Sequence, residues 1–199
     1  MELAPRWISR DLSRLELVIA LLVMAILIGT FVNHALRVFA HAERSSVMVT
    51  VTNINNALLY HSLSLIGKNK WRELADMENM NPMQLLRGRS DELLRSDKDA
   101  GLKISDSNSP VGNYLGEFDG PDVSTLEHGK WYFDTSENNL IYMVNNDEYF
   151  ISDMEGPARI VYQVVIDYED VDSDGLFDPS SDEFSSVKLV EISSTAWDI

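Results

Sequence analysis

The chain has 199 residues, 16 basic and 32 acidic side chains, a formal net charge of −16 at pH 7 and no cysteine. That length allows one anchor and one modest globular domain. The missing cysteine excludes a disulfide-stapled fold, a thiol nucleophile and a zinc–thiolate centre, and the acidic balance, with no basic stripe, argues against nucleic acid as a partner.

The first element is the run Leu17–Val32, uncharged throughout, with Thr30 its only side chain carrying a polar atom. It falls just short of the roughly 17–25 residues of a spanning helix, and Leu12, Leu15, Ala35 and Leu36 extend it. The pattern predicts a short cytoplasmic segment over 1–11 and a transmembrane helix over 12–34. Arg6, Arg10 and Arg14 precede the run, and the next basic residue is Arg37. That bias sets an N-inside orientation. Residues 1–16 are charge-balanced, so the acidic excess lies wholly in the exported part. The run exceeds a secretory h-region of roughly 7–15 residues. Ala40-His41-Ala42 is the nearest approach to a cleavage site, yet helical patterning continues past it. An uncleaved anchor is therefore expected.

Glu16 sits at the edge of this run, where a carboxylate in hydrocarbon costs about 2–3 kcal/mol. It reads either as an interfacial acid at a helix start, favoured by the dipole and by Arg14 or Arg10, or as an assembly residue. Beyond the span, Leu36, Phe39, Val47, Val51, Ile54, Leu58 and Leu65 recur at helical spacing. They predict a periplasmic amphipathic helix over 35–66, with Arg37, Glu43, Arg44, Asn53 and Asn56 on its other face. Gly67 is the expected stop, followed by Lys68 and Lys70. A single helix from Leu12 to Ile66 would run for about 80 Å.

Residues 67–129 read as short helices and an irregular connection. Asn81-Pro82 predicts an N-cap with proline at the first helical position, launching Met83–Leu86, and Ser90-Asp91-Glu92 is a second start signal. Asn113–Leu115 is a brief strand candidate. From 130 to 199 the period changes to that of an antiparallel sheet, with strands at Trp131–Phe133, Leu140–Val144, Arg159–Tyr168 and Val187–Ile192. Ile160, Tyr162, Val164, Ile166 and Tyr168 share one side, giving a sheet with one face buried against the amphipathic helix. Met77, Met80 and Met83 are expected to fill core gaps, and Trp197 to dock on the domain. His34, His41, His61 and His128 show no metal-ligand spacing. With no nucleophile motif, phosphate loop or dinucleotide fingerprint, the chain is expected to be non-catalytic.

The loop between the last two strands carries Asp170, Asp172, Asp174 and Asp178 at positions one, three, five and nine of a calcium-loop pattern, with Gly175 at six. Position twelve is Ser181 where an EF-hand has a bidentate glutamate, and Asp182 follows it. Asp170, Asp172, Asp174, Asp178 and Asp182 are thus candidate calcium ligands in a hairpin loop. The plain alternative is a solvated acidic turn. Seven acids between Glu169 and Glu183, without a basic residue, repel one another.

Leu12-Ser13-Arg14-Leu15-Glu16-Leu17-Val18-Ile19-Ala20 resembles the start of type IV pilins and pseudopilins, with Glu16 at the family's fifth mature position. The resemblance implies an α+β fold in which a long N-terminal transmembrane and amphipathic helix packs on an antiparallel β-sheet. It also implies that Glu16 meets the terminal amine of a neighbouring subunit, and that a sheet loop can hold calcium, as in major pseudopilins. Asp11 stands where the family's processing peptidase requires glycine, Leu12 replaces phenylalanine, Arg14 replaces an apolar residue, and Asn33 stands where many pilins have a kinking proline. Asn81-Pro82-Met83, Gly129–Phe133, Leu140–Phe150 and Phe177–Phe184 are similar to biogenesis proteins of mannose-sensitive haemagglutinin (MSHA) pili. The expectation is a non-catalytic, single-pass component of the bacterial inner membrane with a periplasmic domain. Its implied partners are pilins or pseudopilins and inner-membrane pilus assembly proteins. The alternatives are a processed minor pseudopilin of a pilus or type II secretion system and, from another class, a membrane-tethered calcium-responsive binding module.

Overall fold

The computed structural model describes residues 14–86 and 112–199. The start signal at Ser90-Asp91-Glu92, the segment 1–11 and residues 96–111 of the connection lie outside the described residues. The chain divides into two units, Met1–Phe39 and Ala40–Ile199. Helix α1 (Arg14–Gly67) contributes to both.

In the first unit the large apolar side chains of α1 are exposed, from 38 % at Leu36 to 72 % at Phe31. Water does not tolerate so continuous an apolar surface. The helix is long and apolar enough to cross a membrane, and it lies near the N-terminus.

In the second unit α1 buries Ala40, Val47, Thr50, Ile54, Ala57, Leu58, Ser62 and Leu65, a stripe at spacings of three, four and seven. Three expectations need correction. Leu36 and Phe39 are exposed and lie in the first unit. Glu43, one turn before Val47, faces the sheet and is hydrogen-bonded to it. The far face carries exposed Met48, Val49, Leu59, Tyr60 and Leu63, so the helix has no clean polar side. The helix stops at Gly67 as expected, although glycine does not take the left-handed position. Gly67 is the last helical residue, and Asn69 takes the left-handed position at φ 56°. Lys70 N donates to Leu65 O at 2.9 Å and Asn69 N to Ile66 O at 3.0 Å, the paired bonds of a Schellman ending with asparagine in glycine's usual place.

Helix α2 (Trp71–Ala75) and the 3₁₀ turn Asp76–Asn79 follow. They bury Leu74 and Met77, and Met83 lies in the same core. Asn81 caps as expected: its Oδ1 accepts from Met83 N at 3.0 Å, and residues 83–86 are helical. Its Nδ2 donates to Tyr114 Oη and Glu117 Oε1 at 2.7 and 2.8 Å, tying the turn to the sheet.

The main sheet contains β1 (Tyr114–Phe118), β2 (Trp131–Asp134), β3 (Asn139–Met143), β5 (Arg159–Glu169) and β6 (Glu183–Glu191), in the order β1-β2-β3-β5-β6. A second, two-stranded sheet pairs β4 (Phe150–Ser152) with β7 (Thr195–Trp197). The pairs β2–β3, β3–β5 and β5–β6 are antiparallel, but β1 runs parallel to β2. The sheet is therefore mixed, and its first strand overlaps the brief strand expected at Asn113–Leu115 and runs on to Phe118. A parallel pair needs a crossover of about a dozen residues, and segment 119–130 with its 3₁₀ turn Val123–Thr125 supplies one. Trp197 docks as expected, its ring 5.1 Å from that of Phe150.

The main core sits between the sheet and α1. Trp131, 1 % exposed, packs on Tyr142 and Tyr162 with ring centroids 4.8 and 5.8 Å apart. The opposite face is not free, as one-sided alternation implies. Tyr132, Ile141, Met143 and Val161 form a second buried cluster under Leu126 and Met154. This explains why Val161 interrupts the polar side of β5.

Three side chains outside the sheet satisfy backbone donors in or beside it. Glu43 accepts from Asn145 N and Asn146 N, Asn55 from Leu189 N at 2.8 Å, and Glu78 from Ile166 N at 3.0 Å. Each removes an orphan N–H that the ladder leaves open.

Candidate functional site

Two features carry the sequence-level candidates, one in each unit. Glu16 lies in the first turn of α1 and is exposed, where a carboxylate is favoured by the helix dipole. The large apolar residues that follow it, from Leu17 to Val32, are exposed as well.

The second feature is loop 170–182 between β5 and β6. The strands enter it with Glu169 opposite Glu183, after a register shift between Asp167 and Tyr168. Phe177 folds back onto the hairpin, with its ring 5.2 Å from Tyr168 and 6.2 Å from Phe184. That aromatic ladder pulls the loop against the end of the core. Asp182 then clamps both sides: its Oδ1 accepts from Val171 N at 3.0 Å and its Oδ2 from Asp178 N at 2.7 Å.

Inside this frame Asp170 Oδ1 accepts from Ser173 N at 2.7 Å and Oδ2 from Gly175 N at 2.9 Å. Those bonds hold Ser173 at φ 62° and Gly175 at φ 78°, the sharp turn expected at the sixth position. Asp174 Oδ1 accepts from Leu176 N at 2.8 Å. Asp170, Asp172 and Asp174 converge so that one oxygen from each lies within 4.8 Å of the others. At that separation each like-charge pair repels by about 1 kcal/mol even in water. Asp178 and Asp182 stand outside this group of three. Asp178 accepts from Ser180 N and Oγ at 2.8 and 2.7 Å, and these bonds hold its carboxyl below the ordinary carboxylate range. The Tyr168 phenol is pushed up by partial desolvation and by the surrounding carboxylates, Asp170 first.

The donor set is hard oxygen only, which suits calcium or magnesium and no soft metal. Calcium takes 6–8 oxygens, so three carboxylates supply under half of a shell and leave the rest to carbonyls and water. The sequence reading overlooked Phe177 as the loop's anchor and Asp182 as its clamp. An aromatic amid seven acids was the available sign of the first, and nothing in the spacing marks the second.

No family model matches the chain, and neither the curated proteins nor the solved structures give a significant match.

Proposed function

We propose that this protein is a non-catalytic, single-pass inner-membrane component of type IV pilus biogenesis, of the MSHA type, with its N-terminus cytoplasmic and its sheet domain periplasmic. The observation that carries the reading is α1. One helix bears an apolar run exposed on every side, with Glu16 in its first turn, and also the stripe that packs on the sheet. Such a helix holds a folded domain to the membrane while leaving its apolar surface for lateral contact with pilins or other membrane parts of the assembly machinery. In hydrocarbon that contact rests on close packing and polar pairing. Glu16 is the side chain whose pairing would reward assembly, since a carboxylate costs least in lipid when it meets a cation.

Asp11 in place of the processing glycine favours an unprocessed accessory over a filament subunit. N-terminal sequencing of the protein recovered from membranes is expected to show no start at Leu12; a start at Leu12 would instead identify a processed minor pseudopilin. Deletion of the protein is expected to abolish surface pili while the major pilin is still made and processed.

A second reading, a calcium-responsive module on the same tether, is favoured by the convergence of Asp170, Asp172 and Asp174. A site with so few protein ligands belongs with extracellular modules of roughly 0.1–1 mM affinity. Calcium about tenfold above its Kd would then add about 1.4 kcal/mol, a rise of roughly 3–6 °C in melting temperature for a chain of this size. The Asp172→Ala, Asp174→Ala double variant is expected to lose that rise. No difference between calcium and chelator in the native protein removes the loop from the mechanism.

A further inference from the structure

On the outer face of the sheet a cleft is floored by Ile141 and Val161 and walled by segments 120–123 and 153–154. Asp134 and Asn139, cross-strand partners on β2 and β3, both line it. Asn139 is 7 % exposed; its Nδ2 donates to Glu137 Oε2 at 3.1 Å, and its Oδ1, also buried, has no donor among the described residues. The amide cannot turn over without setting its oxygen against the Glu137 carboxylate. A buried carbonyl oxygen without a donor is costly to the fold.

The surrounding chemistry is lopsided. Asp134 takes Gly120 N, Ser136 N and Ser136 Oγ on one oxygen, at 3.1, 2.8 and 2.7 Å. Burial pushes its carboxyl up, but these donors outweigh burial and hold it below the ordinary range, so it stays ionised. Glu137 and Asp153 add two further acids. The one basic lining residue, Arg159, spends its Nη1 on the carbonyls of Glu155 and Pro157 at 2.9 and 3.1 Å.

We propose that this cleft binds a primary ammonium group on an aliphatic stem, as at the end of a lysyl side chain, with Asn139 Oδ1 at its base, the Asp134 and Glu137 carboxylates beside it, and the stem along Ile141 and Val161. An ammonium offers three donors and no acceptor, the complement of a site rich in acceptors. An anion is repelled, and a hydroxyl turns lone pairs toward carboxylates. Oδ1 is closed to solvent, so contact with it requires a lining side chain to move; Met154, half-buried and unbranched, lines the same cleft. The proposal stands apart from the pilus reading and does not depend on it.

The test uses the full chain in detergent micelles, labelled at asparagine and isoleucine, at low salt, titrated with Nα-acetyl-lysine methylamide, n-butylammonium or Nα-acetyl-norleucine methylamide. Saturable shifts at the Asn139 side-chain amide and the Ile141 backbone are expected from both amines, with Kd in roughly the millimolar range, and none from the norleucine derivative. Tighter binding of the lysine derivative identifies a peptide source; equal binding identifies a free amine. Asn139→Leu is expected to weaken binding at least tenfold without lowering the melting temperature. Should that variant not fold, Glu137→Gln at the exposed rim is expected to weaken binding about threefold. No saturable shift, an equal response to the norleucine derivative, or undiminished binding in a folded variant overturns the proposal.

Discussion

Trp131→Ala is expected to lower the stability of the sheet domain by about 3–5 kcal/mol, seen as a fall of roughly 6–20 °C in melting temperature. Trp131 is 1 % exposed and touches Tyr142 and Tyr162 across β3 and β5. Truncation leaves a void that neither ring can fill, because both are pinned in adjacent strands. Trp131→Phe keeps an aromatic partner and should cost less than half as much. Thermal melts of the full chain in detergent measure both. A loss under about 1 kcal/mol for the alanine variant would mean that the sheet does not pack around this ring.

Glu43→Ala has the second-largest expected effect, about 3 kcal/mol. The Glu43 carboxylate accepts from Tyr142 Oη at 2.8 Å, Asn145 N at 2.6 Å, and Asn146 N and Nδ2 at 2.9 and 2.5 Å. Removing it leaves four donors without this acceptor. Tyr142→Phe removes a single bond and should cost about 1 kcal/mol. The double variant should therefore be less destabilised than the sum of the two singles. Amide exchange at Asn145 and Asn146 should quicken in Glu43→Ala while exchange in the centre of β5 changes only with the global loss. The network also sets an alkaline limit. Burial, then the charge of Glu43 and its hydrogen bond, raise the phenol of Tyr142 above its ordinary value of 10.0. A raised folded value means that the contribution is complete below pH about 10 and is lost as pH climbs beyond it. Tyr142→Phe should flatten that decline.

The long elements were legible because their periodicity runs on for many residues. Positions 47, 54, 58 and 65 place α1's buried stripe, and alternation places β5 almost to the residue. A charged side chain ordinarily marks a solvent face, which masks the place of Glu43 one turn from Val47, and the turn at 145–146 whose amides it accepts from has no sequence signature. Strands β4 and β7 span three residues each and leave no period to detect. The parallel partner of β2 was legible only at its start, the strand candidate Asn113–Leu115, because Gly116 at φ 124° breaks the alternation beyond it. In the loop, Gly175 was legible from its place among the acids. The division of labour, with Asp170, Asp172 and Asp174 converging while Asp182 clamps, depends on which backbone amides come within reach after folding.

The bonds from Glu43 and Asn55 on α1 to backbone donors of the second unit act as a ratchet with one notch. They lie about three turns apart along α1, and each meets a single amide or adjacent pair of amides. Sliding α1 by one turn, about 5.4 Å, would break the bonds of Glu43 and Asn55 together. A load along this part of the helix is therefore met in shear by bonds that must yield at once, not peeled one at a time.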